Sequence, residues 1–189
     1  MIRKLEGFDE YIVIAGFGNV KITNIDKFFL RVKEKTGNAC VQFFDAKLIA
    51  SWHHLYFSVL NAVTAFKNRM QISKSRAIET LLYASAQRQI KKAVKLIGIH
   101  PSSHEVAVVI IANSSNEASS LLKIVSALLE GSIRDDRLLE LTNEKAEGIK
   151  TLFEISDIEL EAKTKNEDEK NEALIDLVIE HVALLVTQR

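Results

Sequence analysis

The stretch Glu105-Val106-Ala107-Val108-Val109-Ile110-Ile111-Ala112 is unbroken by polar residues after its first position and is dominated by β-branched side chains. That is the composition of a strand buried on both faces, so it is expected at the centre of a sheet. It is entered through the loop His100-Pro101-Ser102-Ser103, and a capped helix from Ser115 to Leu129 follows it. Upstream, Tyr11 to Ala15 and Asn19 to Thr23 read as two short strands. Gly16-Phe17-Gly18 would join them as a hairpin, because glycine adopts the positive φ angles of a tight turn without a steric penalty. Asn24 is placed to cap a helix with apolar residues Ile25, Phe28, Phe29 and Val32, which Gly37 stops. A third strand spans Ala39 to Phe44 and ends at Asp45. Ser51 then caps a helix running to about Asn68, apolar at 52, 55, 56, 59, 60, 63 and 66.

Helical periodicity continues from Ser73 to Ile97, with a break near Ser85-Ala86-Gln87 that predicts two helices meeting at a corner. Further helical segments are expected near 134 to 141 and 142 to 153. Segment 160 to 170 is charged and reads as a flexible link or a solvated helix face. The last helix, 171 to 187, carries an apolar stripe too wide for a free surface helix, including Leu174, Val178, Val182 and Leu185. Something must cover these four. They are the candidate contacts for a partner chain, with the acidic run Glu167-Asp168-Glu169 before them as a tether, or else they belong to the core. The order β-β-α-β-α-α-α-β-α predicts a single α+β domain over residues 1–189. Its sheet would be mixed and largely antiparallel, with about four strands, and its C-terminal half helix-rich.

Composition narrows the class. The 189 residues suffice for one self-supporting core, and a single proline with seven glycines favours long helices. Cys40, the only cysteine, lies in an apolar run and is expected as a buried thiol in a reducing compartment. No apolar stretch approaches the roughly 18 to 20 residues that span a bilayer. The N-terminus also lacks the apolar run of a signal peptide. A cytoplasmic protein without a membrane partner is therefore expected. Net charge is zero, but it is the cancellation of two poles. Between Lys67 and Lys95 eight basic residues face one acid, Glu79, while Glu154 to Glu180 holds ten acids and three bases.

Several possible chemistries find little support. Gly16-Phe17-Gly18-Asn19 lacks the third glycine of a dinucleotide loop and leads into a strand rather than a helix. His53 and His54 are consecutive, so on a helix they point about 100° apart and cannot share one metal. An enzyme would have to assemble Asp45, His53 or His54 and a serine from scattered positions. A small hydrolase or transferase on that basis is the alternative reading. The basic segment is more specific. Ser73-Lys74-Ser75-Arg76 sits at a helix start, where amide N–H groups, the helix dipole and cations together favour phosphate. The same residues equally suit a plain helix cap, with Arg88 paired to Glu79 and Lys91, Lys92 and Lys95 forming a solvated face.

A resemblance favours the first reading. Phe44-Asp45-Ala46, His54-Leu55, Ile72-Ser73-Lys74-Ser75 and Glu79-x-Leu-x-Tyr83-x-Ser85-Ala86-x-Arg88-Gln89-Ile90 together resemble the kinase-associated small subunit of the KEOPS complex. That complex installs threonylcarbamoyl on adenosine in the anticodon loop of certain tRNAs. The resemblance implies a subunit with no catalytic centre, cofactor or small-molecule substrate of its own. Its implied partners are the complex's small atypical kinase and the single-stranded 3′ CCA end of tRNA. Carried over, it gives RNA roles to Ser73, Lys74, Ser75, Gln87, Arg88, Gln89 and His54, with Lys67, Arg69, Lys91 and Lys92 supplying positive field. The family usually has glycine where this chain has Ala86, so a less bent corner, or one less closely approached by its ligand, is expected here.

Overall fold

The structure is a computed structural model and describes residues 2–164, 166 and 169–187. In chain order its regular elements are β1 (Ile2–Lys4), β2 (Tyr11–Gly18), α1 (Ile25–Thr36), β3 (Cys40–Asp45), α2 (Trp52–Lys67), α3 (Arg76–Ala84), α4 (Ile90–Ile97), β4 (Val106–Ala112), α5 (Ser115–Leu128), β5 (Ile133–Arg134), α6 (Asn143–Phe153), α7 (Asp157–Lys163) and α8 (Lys170–Leu184). This is the α+β class the sequence predicts. The residues group into two compact units, each built from two chain segments. One holds the chain up to Ala46 with Gly98–Leu138, the other Lys47–Ile97 with the residues from Leu139 on.

The first unit carries the sheet, in order β1-β2-β4-β3, with β5 also paired to β2. All pairings are antiparallel. The apolar run 106–112 is β4, interior as its composition requires, with all seven residues buried. Val13, Ala15, Phe17, Phe43, Val108 and Ile110 share a core with Phe28 and Val32 of α1 and Leu121 and Val125 of α5. Phe28 meets Phe43 edge-to-face at 5.0 Å between ring centres. Asn24 and Gly37 bound α1 as expected, and Cys40 is half-buried rather than buried.

The predicted hairpin at Gly16 is corrected. β2 runs straight through Gly16-Phe17-Gly18, pairing Gly16 with Ala107 and Phe17 with both Val106 and Arg134. It stops at Asn19, whose φ is 58°, and 19–23 form no strand. Gly16 is required for space. A Cβ there would lie 2.4 Å from the Asp135 carbonyl oxygen, because segment 135–138 crosses β2 at this point. The Asp135 N–H donates to the Gly16 carbonyl at 2.9 Å, and the Gly16 N–H donates to Asp136 Oδ1 at 3.1 Å. The real hairpin lies earlier, between β1 and β2, closed by the Leu5 N–H donating to the Glu10 carbonyl at 2.8 Å. The helix expected at 134–141 is only a short 3-10 turn, Asp136–Leu139.

The second unit is helical in its regular elements. α8 packs on α2, α6 and α7. Leu174 and Val178 lie in a core with Ala50, Ile149, Phe153, Ile155 and Leu160. Val182 and Leu185 are also fully buried. The four proposed partner contacts are therefore covered by their own chain, and the terminal helix is core. Leaving them in water would forgo about 1.5 to 3 kcal/mol each. Of the charged segment 160–170, the part to Lys163 belongs to α7, which opens on a capping box between Ser156 and Glu159. Glu167 and Asp168 of the proposed tether lie outside the described residues. Among the described residues, no helix is long and apolar enough to cross a membrane.

Candidate nucleic-acid and partner surface

The basic segment folds around α3, and hydrogen bonds fix both ends of that helix. α2 stops in a Schellman motif. The Met70 N–H donates to the Ala65 carbonyl at 2.8 Å and the Arg69 N–H to Phe66 at 3.2 Å, with Arg69 left-handed at φ 57°. The chain then turns through 71–75 over a fully buried carboxylate, Glu79. The Ile72 N–H donates to both Glu79 oxygens at 3.1 Å, and the Ser73 N–H donates to Oε2 at 2.7 Å. The acid reserved as the partner of Arg88 is thus taken up by backbone amides. The Ser73 hydroxyl accepts from the Ser75 N–H at 3.1 Å, and Ser75 caps α3.

At its other end α3 closes in a second Schellman motif. The Gln87 N–H donates to the Leu82 carbonyl at 3.0 Å and the Ala86 N–H to Tyr83 at 2.9 Å, with Ala86 left-handed at φ 48°. The corner therefore keeps the bend that a glycine would give it, and the expectation of a straighter corner is corrected. Its backbone is tied down by His54, which is fully buried. His54 Nε2 lies 2.8 Å from the Ala84 carbonyl and Nδ1 accepts from the Ala50 N–H at 3.3 Å. A carbonyl only accepts and an amide only donates, so the ring is neutral with its proton on Nε2. Burial, aided by the positive charge of Lys145 and opposed by the bond to Ala84, pushes its pKa down to about 4.

Beyond the corner, α4 buries Ala93 and Ile97 and leaves Lys91, Lys92 and Lys95 exposed. Arg88 is exposed, and its Nη1 donates to the Leu185 carbonyl at 3.5 Å. Burial raises the pKa of the Tyr83 phenol, the Glu79 charge adds to this, and Arg88 opposes it. Of the ten residues expected to meet RNA, Lys67, Arg69, Lys74, Ser75, Arg88, Gln89 and Lys91 are exposed and Gln87 is half-buried. Ser73 and His54 are buried, so a direct RNA contact is corrected for both: they act on the backbone beneath the surface. The nine residues of α3 separate the two basic ends by roughly 13 Å at 1.5 Å per residue. That is about four nucleotides of stacked strand at 3.4 Å each.

Asp45 accepts from the Ser103 hydroxyl at 2.6 Å, and both ring nitrogens of His54 are held by backbone. Sequence reasoning missed the role of Glu79 as a backbone clamp. Its one visible signal was a lone acid in a basic segment, four positions after Ser75.

Residues 17–185 match the family model of the kinase binding protein CGI-121. The regulatory protein Cgi121 of Methanocaldococcus jannaschii is 31% identical over 144 residues, which cover 76% of this chain and 85% of that protein. The family match takes in every residue of the surface around α3.

Proposed function

Because this chain belongs to the CGI-121 family of kinase binding proteins, we propose that it is the non-catalytic regulatory subunit of a KEOPS-type tRNA-modification complex. In this reading it binds the complex's small atypical kinase and the single-stranded 3′ CCA end of tRNA. The observation that carries the RNA part is the exposed basic surface around α3, with no acidic residue from Thr80 to His104. Arg88 and Gln89 stand at one end of it, and Arg69 and Lys74 at the other. Cations hold phosphates, and the amides of Gln87 and Gln89 offer paired donors and acceptors to base edges. Zero net charge fits a subunit that holds one RNA end rather than a long duplex.

Filter binding with intact tRNA and with tRNA trimmed of CCA tests this, alongside co-elution with the purified kinase. Trimming should abolish most of the affinity, with a log-log salt slope near that of three contacts, each contributing about −0.7. Arg88→Ala should weaken intact tRNA about tenfold through loss of a charge-assisted bond, while unfolding free energy stays within about 0.5 kcal/mol. Equal affinity for the two RNAs would remove end recognition. Failure to co-elute would remove the kinase.

A further inference from the structure

The turn between α2 and α3 presents more than charge. Among Lys67, Arg69, Lys74 and Arg76 it exposes two large apolar side chains, Met70 at 59% and Ile72 at 36%. Their backbone is not free to retract them. Met70 is held by its N–H bond to Ala65, and Ile72 by two bonds to the carboxylate of Glu79. A fully buried carboxylate is tolerated only when it is well hydrogen-bonded, and the Ile72 and Ser73 amides satisfy this one. Glu79 and the turn therefore stabilise each other, and the two side chains stand in water on a stiff support.

Large apolar groups held among cations match the needs of a single-stranded nucleic acid, which offers phosphates to the charges and base faces to the apolar surface. The lysines, serines and glutamines of the surface supply charge and hydrogen bonds, and its arginines can lay a guanidinium plane on a base, but at this turn the exposed apolar faces come from Met70 and Ile72. We infer that Met70 and Ile72 are base-contacting residues for a single-stranded RNA 3′ end and that Glu79 is the positioning residue that presents them. This deepens the RNA reading above and rests on it. A polyanion is favoured over a protein partner because the four cations of the turn outnumber its one acid, which is buried.

The test compares intact tRNA with the same tRNA made abasic at its three terminal nucleotides, each across a salt series. Met70→Ser and Ile72→Ser should each weaken intact tRNA about fivefold, the size of partly burying one apolar side chain. The salt slope should not change, whereas Lys74→Ala should flatten it by about 0.7. The abasic end has already lost the base contact, so both serine variants should bind it as the parent protein does. Glu79→Gln should show the same selective loss on intact tRNA, which general destabilisation would not. If that variant fails to fold, Met70→Ser at its exposed position decides alone. Unchanged binding of intact tRNA by both serine variants overturns the inference, as does an equal loss on the abasic end. Variants that keep RNA but lose the kinase overturn it in favour of protein docking. A parent protein that binds no tRNA overturns the RNA reading as well.

Discussion

The two units differ in how they form left-handed backbone. The sheet-bearing unit places glycine at Gly7, Gly37 and Gly131 and asparagine at Asn19, while the helical unit uses Arg69, Ala86 and Glu154. The three glycines have nothing within 4 Å of where a Cβ would stand, so φ alone requires them. In the helical unit all three residues close a Schellman motif, Glu154 through the Ile155 N–H donating to the Lys150 carbonyl at 3.0 Å. There the hydrogen bonds impose a conformation that costs an L-residue about 1 to 2 kcal/mol. Two of the three sites flank α3, so backbone strain coincides with the basic surface.

The largest effect should come from Gly16, the glycine kept for space. Gly16→Ala drives a methyl into the Asp135 carbonyl oxygen, a backbone atom that cannot swing aside, and should cost about 3 kcal/mol or more in urea unfolding. A loss under about 1 kcal/mol would mean that segment 135–138 yields where it crosses β2.

Next comes the histidine beneath the corner. Its folded pKa is about 4, below the ordinary value near 6.5. Between those values the unfolded chain binds a proton that the folded chain refuses. Stability from this group is therefore intact above about pH 6.5 and falls by about 1.4 kcal/mol per pH unit toward pH 4. By pH 5 the loss is about 2 kcal/mol. His54→Gln should remove that slope, and denaturant unfolding at several pH values checks it. An unchanged slope would assign the acid sensitivity elsewhere.

The smallest pair bears directly on the contrast between units. Ala86→Gly should stabilise by about 0.5 to 1 kcal/mol by relieving the left-handed strain, and Gly131→Ala should destabilise by a similar amount. Melting curves of both variants decide. If Ala86→Gly is destabilising, the corner does not hold its alanine under strain.

Where the chain declares itself locally, reading it succeeds. The caps Asn24, Ser51 and Ser75, the stop at Gly37, the break at 85–87 and the apolar run of β4 follow from hydrogen bonds and periodicities that span only a few residues. The candidate surface was half legible. Its exposed cations stand in the sequence as a charge run, whereas the burial of Ser73 and His54 depends on which face of a turn or helix meets the core.

The amino-acid order by itself determined the fold class, the central strand, most helices and the basic segment that the proposed function uses. Tertiary structure alone decided that Gly16-Phe17-Gly18 continues a strand, because the groups that pair with it, at 106–107 and 133–134, lie far along the chain. It likewise decided that Glu79 clamps a turn instead of pairing with Arg88, and that α8 is core. In each case two conformations of one short segment compete at similar local cost. The partner that selects between them is a hydrogen-bonding group or an apolar face brought close only when the unit has folded.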